Sequence, residues 1–193
     1  MGRAFSPAMQ STKKPYMPTR HTILKSYAEW TVLSALRVGS PIRSRKNVYG
    51  VLETVDFSVI LDNSLGPITP IDFERWHEKT LTALVKSTSK LADQFGWAAK
   101  IVNIYLKTYC YVGDGGRCGI RECLHPPIDS GLWKGINRKY KNNHHILKET
   151  HSQTKITDIS THQAYIRIIT GLREISTDMN CTLIEVEQLW ENH

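Results

Sequence analysis

Residues 95–107 read Phe95-Gly96-Trp97-Ala98-Ala99-Lys100-Ile101-Val102-Asn103-Ile104-Tyr105-Leu106-Lys107. From Ala98 onward the run contains no helix breaker, so it predicts a helix that opens directly after Gly96. Upstream, Pro70 and Asp72 mark another helix start, with Asp72 as the N-cap. Phe73, Trp76, Leu81, Leu84, Val85 and Leu91 follow at spacings of three and four, which carries that helix to Asp93 or Gln94. Two helices therefore meet at Gly96 in a hairpin over 72–108. Glycine permits the positive φ or the close backbone approach that such a turn needs. The free N–H groups of the second helix would then face outward and suit a phosphate. A purely structural hairpin has the same spacing.

Outward from the hairpin the pattern stays helical. Residues 1–20 hold Pro7, Pro15 and Pro18 with Lys13 and Lys14, which reads as a flexible N-terminal arm. Ile23, Tyr27 and Trp30 sit at helical spacing within 21–38, and Gly39 and Pro41 end that pattern. Turn signals crowd 40–70, where the apolar run Phe57–Leu61 is short enough to be either a strand or a buried helical turn. Residues 113–119 form a Gly-rich loop. Asp129-Ser130 should cap a further helix, so 109–140 reads as a loop followed by an Asp-capped helix. A short helix is expected near 144–150 and an amphipathic one over 159–176. Thr182 and Glu185 fit a capping box that opens a last helix through Leu189. The expected class is all-α, with at most a minor strand near 56–61, and one helical domain over 21–193.

Composition narrows the functions. The chain has 193 residues, 40% of them apolar, with five Trp and eight Tyr, enough for a packed core. No apolar run reaches the length of a membrane span, and Met1–Arg20 lacks a secretory pattern, so a cytoplasmic protein is expected. The four cysteines are then expected to be reduced. Lys plus Arg exceeds Asp plus Glu by 25 to 18, a net charge of +7 that favours a polyanionic partner. The surplus is clustered. Lys134, Arg138, Lys139, Lys141 and Lys148 lie in 134–148 without an acid, interleaved with Trp133 and Tyr140. Arg37, Arg43, Arg45 and Lys46 form a second group. A solvated surface or a set of phosphate contacts fits either cluster alone, and the two together favour phosphate.

Two residues carry the chemistry. Lys100 falls on the first turn of the predicted helix, where the helix dipole disfavours a cation and makes a neutral amine more accessible. Asn103 and Lys107 share its face at i+3 and i+7. The run His125-Pro126-Pro127-Ile128-Asp129-Ser130 places a carboxylate at a helix start behind two prolines, which hold it rigidly. A solvated lysine and an ordinary capping aspartate are the plain alternatives.

These stretches resemble the helix-hairpin-helix (HhH-GPD) superfamily of DNA glycosylases. Gly96-Trp97-Ala98-Ala99-Lys100 is similar to that family's Gly-apolar-Gly-x-Lys hairpin, and Pro127-Ile128-Asp129 to its Pro-Val-Asp. The resemblance covers roughly residues 70–140. It implies base flipping from duplex DNA followed by cleavage of the N-glycosidic bond. Asp129 would stabilise the developing charge or activate the nucleophile. Lys100 would act as a Schiff-base nucleophile in an enzyme that also has AP lyase activity, and as a positioning cation in one that does not. Gly96, Trp97, Ala98, Asn103, Lys107, Arg117 and Lys134 would contact DNA. The sequence departs from the family at Ala98, which replaces the second hairpin glycine, and at Gln94-Phe95. The loop between Lys100 and Asp129 is longer and brings Arg117 and Cys118 close. The four-cysteine iron–sulfur signature is missing, so neither metal nor cofactor is expected. The chain is expected to act as a monomer, in DNA repair or in defence against modified viral DNA.

Other constellations give competing expectations. Cys110, Cys118, Cys123 and His125 could supply four zinc ligands, although their spacing fits no common zinc pattern. Trp97, Tyr105, Tyr109 and Tyr111 could line a base pocket or belong to the core, and Trp133 is open in the same way. His144-His145 would sit on the surface or contact phosphate. A non-catalytic DNA-binding module is the alternative to an enzyme, and a nuclease is a weaker third reading that lacks a cluster of metal-binding carboxylates.

Overall fold

A computed structural model describes residues 19–36 and 39–191. The expected arm at 1–20 thus falls mostly outside the described residues, as does Arg37. Thr19 caps α1 (Arg20–Ala35) by accepting the Thr22 N–H. The stripe that meets the core is Ala28 and Val32, with Leu24 partly buried. Ile23, Tyr27 and Trp30 are instead more than half or half exposed, at 57%, 50% and 53%. Apolar residues lie on two sides of this helix, and spacing alone does not say which side packs. The small Ala28 lets the backbones approach, while Tyr27 and Trp30 stack on each other outside.

Ser44 caps α2 (Arg45–Glu53). The run that admitted a strand near 56–61 forms one helical turn, α3 (Ser58–Leu61), with Ile60 fully buried. Asp56 starts that turn by accepting the Ser58 N–H at 3.1 Å. The described residues contain no strand, and the class is all-α. None of their helices is long and apolar enough to cross a membrane.

Helix α4 (Pro70–Ser87) has its N-cap three residues earlier than the sequence suggests. Thr69, not Asp72, is its N-cap: Thr69 Oγ1 accepts the Asp72 N–H at 3.2 Å and donates to Asp72 Oδ2 at 2.7 Å. Pro70 takes the first position, where no N–H is needed. The helix ends at Ser87 rather than 93–94, and a 3₁₀ turn (Ser89–Leu91) leads on. The left-handed residue of the connection is Asp93, with φ of 57°.

Helix α5 (Phe95–Leu106) is the centre of the fold, with every one of its residues buried. A helix apolar nearly all round must be surrounded, and this one is packed by α1, α4 and the elements that follow. It runs on as a π turn over Lys107–Val112. Then come α6 (Ile120–Cys123), α7 (Ser130–Tyr140), α8 (His144–Thr150), a 3₁₀ turn (Ile156–Asp158) and α9 (His162–Asp178). Residues Ile184–Leu189 form a 3₁₀ helix, more tightly wound than the α-helix expected there. Half of the expected capping box is present, since the Thr182 N–H donates to Glu185 Oε2 at 2.8 Å.

Gly96 differs from its expected role. It is the second residue of α5 and is not left-handed. Its N–H donates to the Ile159 carbonyl at 2.8 Å. A Cβ there would overlap the Ile156 carbonyl oxygen and come within 2.9 Å of Ile159 Cβ. Glycine is needed for this close approach, not for a turn. The 156–159 segment therefore covers the N-terminus of α5, and the phosphate site expected at Gly96, Trp97 and Ala98 is closed.

Candidate active site

Asp129 is the N-cap of α7, with an extended φ of −154°. Its Oδ1 accepts the Gly131 and Leu132 N–H groups at 3.0 and 3.1 Å. The Trp190 indole N–H adds a third bond to Oδ1 at 2.9 Å. Oδ2 points the other way and accepts from Lys100 Nζ at 3.2 Å. The two oxygens thus divide the work: one anchors the carboxylate and the other holds the amine. Lys100 is buried with its Nζ 5.6 Å from the Trp97 ring centroid, so its long stem is stiffened by packing. The side chains of Lys100 and Asp129 are 10% and 24% exposed, so the contact is reachable from solvent mainly on the Asp129 side.

A second ion pair flanks the first. Lys107, expected on DNA, donates to Glu187 Oε1 at 2.6 Å. Burial raises the Glu187 carboxyl above its ordinary range, Lys107 opposes this, and the neighbouring Asp129 adds to the rise. Trp190 and Glu187 both come from the C-terminal segment. Gly131 and Gly135, four apart on α7, leave a smooth track on which that segment lies, and the Glu191 N–H donates to the Gly131 carbonyl at 3.3 Å. Sequence reasoning missed both residues, because Trp190 reaches Asp129 across 61 positions with no local signal.

No known protein family matches the chain, and no curated protein or solved structure does.

Behind the Lys100–Asp129 pair lies a buried polar chain. Asn103, expected beside Lys100 on an open face, is 1% exposed. Its amide donates to the Pro126 carbonyl at 3.3 Å and to the Tyr165 hydroxyl at 3.0 Å. Its oxygen leaves His77 Nε2 as the donor at 2.8 Å. Tyr165 donates to His125 Nδ1 at 2.9 Å, and His125 Nε2 donates to Glu74 Oε1 at 2.9 Å. Arg173 closes the chain on Glu74. Each proton has one consistent place, with both imidazoles neutral and Glu74 anionic. The chain ties α4, α5 and α9 to the His125-Pro126 backbone and so fixes the approach to Asp129. Helical spacing marks Tyr165 as core, but nothing local links Glu74 to His125.

These burials make stability pH-dependent. Burial, then the neighbouring His125, lowers His77 from an ordinary 6.5 to about 3. Burial alone would raise Glu74, yet the His125 hydrogen bond, the positive charge that the His125 ring carries once protonated and the Arg173 guanidinium outweigh it and bring the carboxyl from 4.5 to about 2. For His77 the unfolded chain takes up the proton first, so stability falls as pH drops below 6.5 and continues to fall toward 3. The Glu74 contribution is intact above 4.5 and is lost between 4.5 and 2. Urea unfolding at pH 7 and pH 4.5 should differ by about 2–3 kcal/mol from His77 alone. His77→Gln should remove that part of the slope; an unchanged slope would count against the buried neutral imidazole.

The remaining sequence candidates separate clearly. Arg117 donates to the carbonyls of Val59, Leu65, Gly66 and Pro67 at 2.8–3.1 Å, which staples its loop to the 59–67 segment and occupies its guanidinium. Trp133 is core, its indole N–H on the Thr150 carbonyl at 2.8 Å. Tyr109 meets His21, and Tyr111 donates to Glu185, both away from Lys100. Among the described residues no three His, Cys, Asp or Glu side chains converge as a metal site. Cys110 is sealed with its thiol pushed up to about 12 by burial, whereas Cys118 is exposed. Lys134, Arg138, Lys139, Lys141 and Lys148 are exposed along α7 and α8, beyond the end that Asp129 caps, and His144 and His145 are exposed there too.

Proposed function

We propose that the chain is a DNA glycosylase that flips a damaged or modified base out of duplex DNA and cleaves its N-glycosidic bond. The observation that carries this reading is the Lys100 Nζ–Asp129 Oδ2 contact at 3.2 Å, an amine and a carboxylate held by separate elements. A surface ion pair needs no triple anchoring of one carboxylate oxygen, and a pure DNA binder gains nothing from a rigid anion facing phosphates. The exposed cations of α7 and α8 support approach of the DNA backbone beside Asp129. With the α5 N-terminus covered, the duplex is engaged through that basic face rather than through the Gly96 turn.

The chemistry follows from the pair. Nζ gives up a proton to Asp129 Oδ2, and its lone pair forms a bond to C1′ of the flipped nucleotide. The N-glycosidic bond breaks, its electron pair leaves with the base, and the proton taken by Asp129 passes to the base. The new C1′ ammonium gives a second proton to O4′ as the sugar ring opens, which leaves a protonated Schiff base on Lys100 and an ionised Asp129. A neighbouring carboxylate stabilises positive charge on the sugar at each stage. Repair and defence against modified viral DNA both use this reaction.

The test is a panel of damaged and modified duplexes, scored for base release and for a covalent complex trapped by borohydride. The expected result is release from at least one duplex and a trapped adduct that Lys100→Ala abolishes. Release without any trapped adduct would assign Lys100 to positioning alone. Salt-sensitive binding with no release from any duplex would favour the non-catalytic DNA-binding module.

A further inference from the structure

On the opposite side of α5, Tyr105 lies about 140° round the helix from Lys100. There α1, α2 and α3 enclose a cavity of about 440 Å³. One wall is aromatic: Phe57 and Tyr105 stack with centroids 4.2 Å apart. The charged lining is acidic, with Glu29, Glu53 and Asp62 against Lys25, in a chain whose net charge is +7. Lys25 already pairs with Glu29 at 3.8 Å, and His21 is engaged by the Tyr109 hydroxyl. Glu53 and Asp62 have no salt bridge among the described residues.

Tyr105 supplies a separate polar feature of the cavity. It is only 3% exposed, yet its hydroxyl makes no hydrogen bond among the described residues. The ring is packed into the core while the residue lines the cavity, so its hydroxyl is open to a ligand there. From these features we infer that the cavity is a binding site for a flat organic cation. An aromatic ring would lie against Phe57, the Tyr105 hydroxyl would meet a polar edge, and a protonated amine would face Glu53 and Asp62. The site is independent of Lys100 and Asp129, so it stands or falls separately from base excision. Such a site would respond to an amine-bearing ring and reject the same ring bearing a carboxylate.

Tryptamine and indole-3-propionate are suitable probes, since they share a ring and differ in charge. In calorimetric titration of the whole chain, tryptamine should bind saturably and indole-3-propionate should not. Glu53→Gln with Asp62→Asn should weaken tryptamine by about tenfold, because both charge-assisted contacts are lost while the Asn still caps Ser64. Tyr105→Phe should weaken it a few-fold and leave the fold intact. Equal binding of the two indoles, tryptamine affinity unchanged in the double variant, or no saturable binding of tryptamine would each overturn the assignment.

Discussion

Asp129→Asn should lower base release by at least about a hundredfold while leaving α7 in place. Asparagine caps a helix about as well as aspartate, and its oxygen can keep the bonds from Gly131, Leu132 and Trp190. What changes is the other arm of the side chain. An NH₂ group would face Lys100 Nζ, so a donor meets a donor, and no anion remains to take a proton or to stabilise a cationic sugar. Lys100 is itself buried, so the variant also leaves a charge without its partner, at a cost of about 1–3 kcal/mol. Loss of activity and loss of stability would otherwise be confused. The double variant Lys100→Met with Asp129→Asn separates them: it should regain most of the lost stability and none of the activity. Base release should be measured on a duplex that the native chain processes, with urea unfolding run alongside. Near-native release by Asp129→Asn would remove the carboxylate from the chemistry altogether.

Some of this arrangement was legible in the chain itself, and the boundary has physical causes. Asp129 was readable because its evidence is local: two prolines restrict the backbone, and a capping side chain bonds N–H groups two and three residues ahead. Lys100 was readable as a candidate, but its meeting with Asp129 spans 29 positions, and no spacing rule reaches so far. The helical class was legible from periodicity, and the same periodicity failed where it had two solutions. On α1 it marked Ile23, Tyr27 and Trp30, while the smaller Ala28 and Val32 do the packing. On α5 it suggested a polar face through Asn103, but burial all round the helix turns that asparagine into the hub of an internal network. Gly96 shows a third limit. A glycine between helices signals a constraint without saying whether the constraint is a dihedral angle or a neighbour, and here it is the 156–159 backbone. Arg117 was misplaced for a related reason, because four carbonyls exposed by irregular backbone recruit a guanidinium as readily as a phosphate does.

Gly135→Ala and Gly50→Ala should move stability in opposite directions, although both glycines lie inside α-helices. In an open helix position alanine is favoured by about 1 kcal/mol, through lower backbone entropy in the unfolded chain. Gly50 in α2 is such a position, since a Cβ there meets nothing within 4 Å. Its substitution should stabilise the fold by up to about 1 kcal/mol. At Gly135 the same gain is opposed by a clash. The added Cβ would overlap the Leu189 carbonyl oxygen and lie 2.6 Å from its carbon, and backbone cannot rotate away as a side chain can. Overpacking of this kind costs about 1–3 kcal/mol or more, which exceeds the propensity gain. Relief requires the C-terminal segment to lift off α7. Lifting would take the Trp190 indole from Asp129 and the Glu191 carboxylate from Arg138, a pair at 3.0 Å. Net destabilisation of about 1–2 kcal/mol is therefore expected in urea unfolding, together with slower base release, because Asp129 Oδ1 loses one of its three anchors. Native stability and native release in Gly135→Ala would mean that the segment is not held on the glycine track, and that Trp190 does not help to set the carboxylate.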